Sequence, residues 1–509
     1  MTTLYKPVVD TSAIDTALAK FRRAYPTYDR TSALDELRAR EYGRLDQLGQ
    51  TYLDYTGGGL YAESQLRQHI DLLTHQVFGN PHSANLPSLE TTERVEQTRK
   101  CVLEFFNASP EQYEVIFTQN ATGALKLIGE SYPFGPGSRY LLTSDNHNSV
   151  NGIRELAKAK GARVEYVPIR CSDLRVDQDP LSRRLDQRVS GRRHMAGRMG
   201  HGRRYGGNRG SKLFAYPAQS NFSGVQHSLG WIAEAQASGW DVLVDCAAFA
   251  PTNQLDLARW HPDFASLSFY KIFGYPTGIG CLIARKSALA KLRRPWFAGG
   301  TVMCSSVKAA DVPGAGFLRT PGPPGYEDGT VNYLSIPAID IGLRHIATVG
   351  MDLIHTRVTC LTGWLLEQLG GLRHGNGAPV IRIYGPLDTR MRGGTIAMNF
   401  FDPAGQLIDS RLVERFANRI KLSLRSGCHC NPGARETALA LTKNELVACA
   451  LSSHHMSYQD FLHAVDEKTT GAARVSIGLA TTFADVYRFY EFAAGFRDVS
   501  LEDQMRAAG

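Results

Sequence analysis

From Tyr113 onward the chain alternates short apolar runs with amphipathic stretches. In "YEVIFTQNATGALKLIGESY" a β-prone apolar run gives way to a small polar turn, then to apolar positions at helical spacing. The next stretch, "SRYLLTSDNHNSVNGIRELAKAKGARVEYVPI", repeats the order: strand, polar turn, helix, Gly161 at the helix end, strand. Further apolar runs in "LFAYPAQSNFSG", "WIAEAQASGWDVLVDCAAF" and "FASLSFYKIFGYPTGIGCLIA" each end in a small or polar turn. Alternating strands and helices predict an α/β fold whose sheet is mostly parallel and covered on both faces. Such sheets bind ligands beyond the carboxyl ends of their strands.

A Gly/Pro-rich stretch at 312–332, "VPGAGFLRTPGPPGYEDGTVN", breaks the pattern. Beyond it, "SIPAIDIGLRHIATVGMDLIHTRVTCLTGWLLEQLGGL" has helical periodicity, and short strands are expected at "VIRIYG", "GTIAMNF" and "ARVSIGLA". The expected organisation is an N-terminal segment, 1–85, packing with a small domain; a large domain, 86–320; and a smaller C-terminal α/β domain, 321–509.

Composition narrows the class. No apolar run approaches the roughly 18 residues of a membrane span. The N-terminal "MTTLYKPVVDTSAIDTALAKF" lacks the basic-then-apolar order of a secretory signal. A cytoplasmic protein without a membrane segment is expected. Nine cysteines, an odd number scattered along the chain, do not resemble a secreted disulfide framework. C-x-x-C pairs are absent, so no metal site is expected.

The net charge of +8 is local in origin. Between Arg183 and Lys212 nine Arg and one Lys face one Asp, so this stretch carries +9 and the rest of the chain −1. An Arg/Gly-rich run with few aliphatic residues buries too little surface to offset its ordering entropy, so a disordered surface insert is expected over 183–212. A nucleic-acid patch is the less favoured reading, because aromatic interleaving is nearly absent.

The residues with chemistry fall at strand ends. Asp245 closes "DVLVD", Lys271 follows "FASLSFY", and the other polar turns supply Asn120, Thr122, His147 and Asn221. An acid and a lysine 26 residues apart, about one crossover unit, are what pyridoxal 5′-phosphate chemistry needs: an amine to condense with the cofactor's aldehyde and a carboxylate for its ring nitrogen. Any α/β enzyme carries such a pair somewhere, so the spacing alone does not decide. A second feature, "RSGCHCNPGARE" at 425–436, sets two cysteines beside turn-forming residues and reads as half a metal site, a disulfide or a nucleophile on a loop.

Six ordered motifs, "NATGALKL", "SDNHNSV", "YPAQSNFSG", "SFYKIFGYPTGIG", "YEDGT" and "RSGCHCNPGA", together resemble the class V aminotransferase family of fold type I pyridoxal phosphate enzymes. Within it, the chain is similar to the cysteine desulfurase-like N-terminal part of molybdenum cofactor sulfurases. The resemblance runs from "YLDYTGGG" to "ARVSIGLATTFADV" and implies the PLP-dependent transferase fold, with a seven-stranded-type sheet in the large domain.

The resemblance implies that Lys271 binds the cofactor covalently, Asp245 pairs with its ring nitrogen and His147 stacks on its ring. It implies phosphate contacts from Ala121, Thr122 and Ser268, and from Gly329 and Thr330 towards a neighbouring subunit, hence a homodimer. Asn221 is implied near the cofactor or substrate, and Arg474 as the grip on the substrate carboxylate. Cys430 matches the loop cysteine that takes sulfur from L-cysteine as a persulfide, releasing alanine; Arg425 and His429 are then candidates for lowering its pKa. The resemblance leaves two readings of Cys428, a neighbour that resolves the persulfide or a residue without a role. A sulfur-acceptor protein or cofactor is the implied partner.

Some positions depart from the pattern. Tyr270 and Ala248 replace a histidine and a glutamine of iron-sulfur desulfurases, which fits the sulfurase branch. "LDYTGGG" and Arg435 replace that branch's usual "LDHAGAT" and third cysteine. The chain ends soon after Arg474, so the sulfurases' C-terminal cofactor-binding domain is expected to be missing. Two other readings compete: a class V transaminase, C-S lyase or racemase that forms no persulfide, and a catalytically silent protein whose basic insert recruits an anionic partner.

Overall fold

The computed structural model describes residues 11–186, 210–312, 316–451 and 471–500. Seven strands form the larger sheet: β1 (Tyr113–Thr118), β2 (Arg139–Thr143), β3 (Arg163–Val167), β4 (Lys212–Pro217), β5 (Asp241–Asp245), β6 (Phe264–Ser268) and β7 (Gly280–Arg285). Their order across the sheet is β1-β7-β6-β5-β4-β2-β3. β7 runs against both of its neighbours, β1 and β6, while every pairing from β6 to β3 is parallel. The sheet is mixed and mostly parallel, as the alternation of elements predicts.

Successive residues of each strand enter opposite cores. Leu213 and Ala215 pack with Ile128 and Ile153 on one face; Phe214 and Tyr216 join Ile339 and Leu361 on the other. Both faces are buried, which is why these strands read as continuous apolar runs rather than alternating ones.

A second sheet holds β8 (Ile381–Tyr384), β9 (Thr395–Phe401), β10 (Leu407–Ile408), β11 (Arg425–Gly427) and β12 (Ala472–Ser476). The order is β8-β9-β12-β11, with β10 beside β9, and all pairings are antiparallel. The long helical stretch is two helices, Pro337–Val349 and Met351–Gly371, parted at Gly350 with φ +91°. The N-terminal segment lies beside the second sheet: Thr51 and Tyr52 form a separate two-stranded parallel sheet with Leu422 and Ser423, and Asp54 bridges to Ser476 of β12.

The basic stretch 183–212 is ordered at its ends, contrary to the expectation for the whole of it. Arg183 to Asp186 finish the helix Gln178–Asp186, whose Leu181 and Leu185 are buried on one helical stripe, and Lys212 opens β4. Its middle, 187–209, lies outside the described residues. No helix among the described residues is long and apolar enough to cross a membrane.

Candidate active site

The carboxyl ends of the parallel strands form one rim. β1 leads through a turn into the helix Ala121–Ser131, capped by Asn120, whose Oδ1 accepts from the Gly123 N–H at 3.0 Å. β6 ends at Ser268, whose Oγ accepts from the Ala121 N–H at 2.9 Å, and Lys271 follows in the one-turn helix Phe269–Phe273. Gly280 opens β7 between them. A Cβ there would lie 2.4 Å from the Leu267 carbonyl oxygen and 2.6 Å from the Asn120 backbone, so only glycine lets this turn close. Thr122 Oγ1 and Ser149 Oγ stand 2.8 Å apart, joining this turn to the one after β2.

Asp245 is buried at the end of β5. Its Oδ1 accepts from the Ala247 N–H at 3.0 Å and from Ser266 Oγ at 3.2 Å, while Oδ2 makes no hydrogen bond among the described residues. Burial pushes the Lys271 ammonium below the ordinary lysine range; Asp245 opposes this, and Arg474 and Arg425 add to it. A lowered pKa favours the free amine, the form that attacks an aldehyde. His147 caps the short helix Asn148–Asn151, its Nδ1 accepting from the Ser149 N–H at 3.1 Å. A backbone N–H can only donate, so a neutral His147 carries its proton on Nε2. Burial also pushes His147 down, against the field of Asp245.

The cysteine loop is bonded to this rim. Asn148 N–H donates to the Cys430 carbonyl at 2.7 Å, and Asn221 Nδ2 donates to the His429 carbonyl at 2.7 Å. Asn431 is fully buried and donates to the Asp145 carbonyl at 2.7 Å and to Asn221 Oδ1 at 3.0 Å. Cys428 and Cys430 are exposed thiols on either side of a buried His429. His429 and Cys430 both adopt left-handed backbone, φ 52° and 54°, a sparsely populated conformation for such residues.

His429 does not play the role expected for it. Its Nε2 donates to the Ala472 carbonyl at 3.0 Å, and burial beside Arg474 pushes its pKa well below the ordinary histidine value. A neutral imidazole brings no positive charge to Cys430. Arg425 is already engaged, its Nε and Nη2 donating to Asp54 Oδ2 at 3.0 and 2.7 Å.

Arg474, on β12, is buried within the electrostatic reach of Cys430, Lys271 and His147. It donates to the Asn221 carbonyl at 3.0 Å and to Asp54 Oδ1 at 2.9 Å. The structure therefore gathers Ala121, Thr122, His147, Asn221, Asp245, Ser268 and Lys271 at one rim and brings Cys430 and Arg474 against it from the second sheet. Among the described residues, Gly329 and Thr330 make no hydrogen bond to this rim. Their loop is anchored by buried Glu327, which pairs with Arg99 at 2.7 Å and accepts from the Phe117 N–H at 3.0 Å, and Thr330 is exposed.

Two residues were missed by sequence reasoning. Asp54 is a lone charge in the apolar run "TYLDY", and that placement was its available signal. Asn431 caps the helix Pro432–Ala438, with proline at the first helical position, and the order N-P-G announces such a cap.

The donor set fits pyridoxal phosphate: an amine of lowered pKa, a carboxylate with one oxygen open, a neutral imidazole and the N-terminus of an 11-residue helix. Such a fold and site define a class of α/β enzymes built on a lysine-bound cofactor. The aminotransferase class-V family model matches residues 51–190 and 208–489, and the chain belongs to that family. It is 37% identical over 492 residues to a molybdenum cofactor sulfurase from Solanum lycopersicum, covering 93% of this chain and 58% of the relative. The Homo sapiens molybdenum cofactor sulfurase is 35% identical over 482 residues, covering 90% and 51%. The chain thus spans little more than half the length of these relatives. Its fold is similar to an apo structure of a cysteine desulfurase from Thermococcus onnurineus NA1, with a TM-score of 0.71, 21% identity, and coverage of 90% of this chain and 96% of that one.

Proposed function

We propose that the protein is a PLP-dependent cysteine desulfurase-like enzyme that transfers sulfur from L-cysteine to Cys430 and releases alanine. The observation that carries this reading is the bonding of an exposed thiol loop to the lysine–aspartate rim, through the Cys430 and His429 carbonyls. In this reading Lys271 binds the cofactor, Asp245 faces its ring nitrogen through the open Oδ2, and His147 lies against its ring. Ala121, Thr122 and Ser268 receive its phosphate. Bound there, the cofactor supplies an electron sink for the substrate's Cα.

The chain's own residues do the rest. Arg474 and Asn221 orient the amino acid by its carboxylate, a task suited to a planar guanidinium. Lys271 Nζ, of lowered pKa, accepts and returns a proton near Cα. Cys430 Sγ attacks the substrate sulfur: the cysteine Cβ–S bond breaks and an S–S bond forms. Cβ is reduced to the methyl group of alanine as the transferred sulfur is oxidised to the persulfide level. One thiol proton ends on Cβ and the other on the persulfide, so no external oxidant or reductant is needed.

The same reading includes a homodimer, with Gly329 and Thr330 serving the neighbouring subunit's phosphate site. Support comes from the apolar side chains Met303, Leu318 and Phe317, which stand exposed on the antiparallel strands Val302–Ser305 and Phe317–Arg319. The division of labour is a cofactor-binding unit, 86–320, and a cysteine-loop unit, 321–509, to which segment 1–85 is attached. An acceptor collects the sulfur from the exposed loop.

The test is to incubate the purified protein with L-cysteine, quantify alanine and map persulfide by mass spectrometry. Persulfide on Cys430 and stoichiometric alanine support the reading. Keto acid products without any protein persulfide overturn it.

A further inference from the structure

The Asp54 carboxylate holds two guanidinium groups at once. Its Oδ1 accepts from Arg474 Nη2 at 2.9 Å, while Oδ2 takes the Arg425 Nε and Nη2 at 3.0 and 2.7 Å. The chain around it is fixed. Asp54 bridges to Ser476 of β12, and the next turn is tied by the Thr56 N–H donating to Ser476 Oγ at 2.8 Å. Gly57 carries no Cβ, which would lie 2.4 Å from Arg425 Nη2 and 2.5 Å from Asp54 Oδ2, so a side chain there would displace this ion pair. Arg474 donates through Nη1 to the Asn221 carbonyl at 3.0 Å, its buried Nε has no partner among the described residues, and with one N–H each of Nη1 and Nη2 engaged the guanidinium keeps further donors.

These contacts answer two electrostatic needs. A guanidinium only 3% exposed is costly without a counter-ion, and Asp54 supplies one. A one-to-one pair, however, is neutral and attracts a further carboxylate only weakly. Arg425 restores the charge: two guanidinium groups against one carboxylate leave the cluster positive. Arg425 is half-exposed, so its own pair adds little to stability, and its contribution is the charge it brings.

We propose that Asp54 is a positioning residue for substrate recognition: it fixes Arg474 with guanidinium N–H groups left over for the substrate carboxylate, while Arg425 keeps the cluster cationic. The cluster thereby selects amino acids over amines bearing the same side chain. This rests on the reading of Arg474 as the carboxylate-binding residue.

The test uses the holoenzyme and two thioether ligands that cannot donate sulfur, S-methyl-L-cysteine and S-methylcysteamine, which differ by the carboxylate. Binding is followed by calorimetry and by the cofactor's visible absorbance. Asp54→Asn weakens S-methyl-L-cysteine by about tenfold, or ~1.4 kcal/mol, and leaves S-methylcysteamine unchanged. Arg425→Gln acts in the same direction. In turnover with L-cysteine, Asp54→Asn raises KM more than it lowers kcat. Equal weakening of both ligands makes Asp54 merely structural and overturns the proposal, as does no change in either. Arg474→Gln separates the two readings: if that variant still prefers the carboxylate ligand, the assignment of Arg474 itself fails.

Discussion

Ser268 Oγ accepts a 2.9 Å hydrogen bond from the Ala121 N–H, so the strand that delivers Lys271 is bonded directly to the first residue of the helix facing it. Both partners are buried. Ser268→Ala leaves that N–H without its acceptor, a loss of about 1–3 kcal/mol. Urea unfolding of the apoprotein should show it as a lowered midpoint, and added pyridoxal phosphate should recover part of the loss by giving the helix N-terminus an anion. A variant whose midpoint matches wild type would mean that this bond does not hold the site together.

Cys430 and Cys428 are both exposed, and the chemistry proposed above uses only Cys430. Cys430→Ser should abolish protein persulfide and lower alanine formation from L-cysteine by at least about a hundredfold, the scale of removing a nucleophile. Cys428→Ser should retain alanine formation within a few fold. If Cys428→Ser loses the persulfide and Cys430→Ser keeps it, the two roles are reversed.

Asn431 ties the cysteine loop to the rim with donors to the Asp145 carbonyl and Asn221 Oδ1, and its Oδ1 caps the following helix by accepting from the Ala434 N–H at 3.2 Å. Asn431→Asp keeps the cap but replaces the donors with an acceptor pointed at two acceptors. About 1–3 kcal/mol of local stability is at stake. Hydrogen exchange over 425–434 should quicken while β5 and β6 stay protected. Unchanged exchange in the loop would show that its left-handed backbone is held by something else.

Much of the rim was legible because its elements carry strong local signals. "DVLVD" and "FASLS" are continuous apolar runs since both faces of the sheet are buried, and the polar turns after them announce the strand ends. Asp54 was not legible as a partner of Arg474, 420 residues distant in sequence, because no local pattern encodes a bridge between an N-terminal turn and β12. His429 misled for a related reason. Beside cysteines a histidine invites a charged role, but its state is set by burial against Ala472 and Arg474, which only the fold supplies. The ends of the basic stretch were obscured by composition: Leu181 and Leu185 anchor its entry helix, but they sit among charges that dominate any average.

The neutral state of His429 makes stability depend on pH in a definite direction. Its folded pKa lies well below the unfolded value of about 6.5, so the unfolded chain binds a proton that the folded chain refuses. The contribution is therefore fully present above about pH 6.5 and is lost as pH falls towards the folded pKa, with a slope approaching ~1.4 kcal/mol per pH unit. His147 and His345 are also pushed down by burial, so the wild-type curve sums several groups and a difference measurement is required. His429→Gln retains an N–H for the Ala472 carbonyl but has no proton to bind. Between about pH 7.5 and pH 5 the variant should lose about 1–2 kcal/mol less stability than wild type in paired urea titrations. Parallel curves would mean that His429 accepts its proton in the folded state, in which case it stands as a cation beside Cys430 after all.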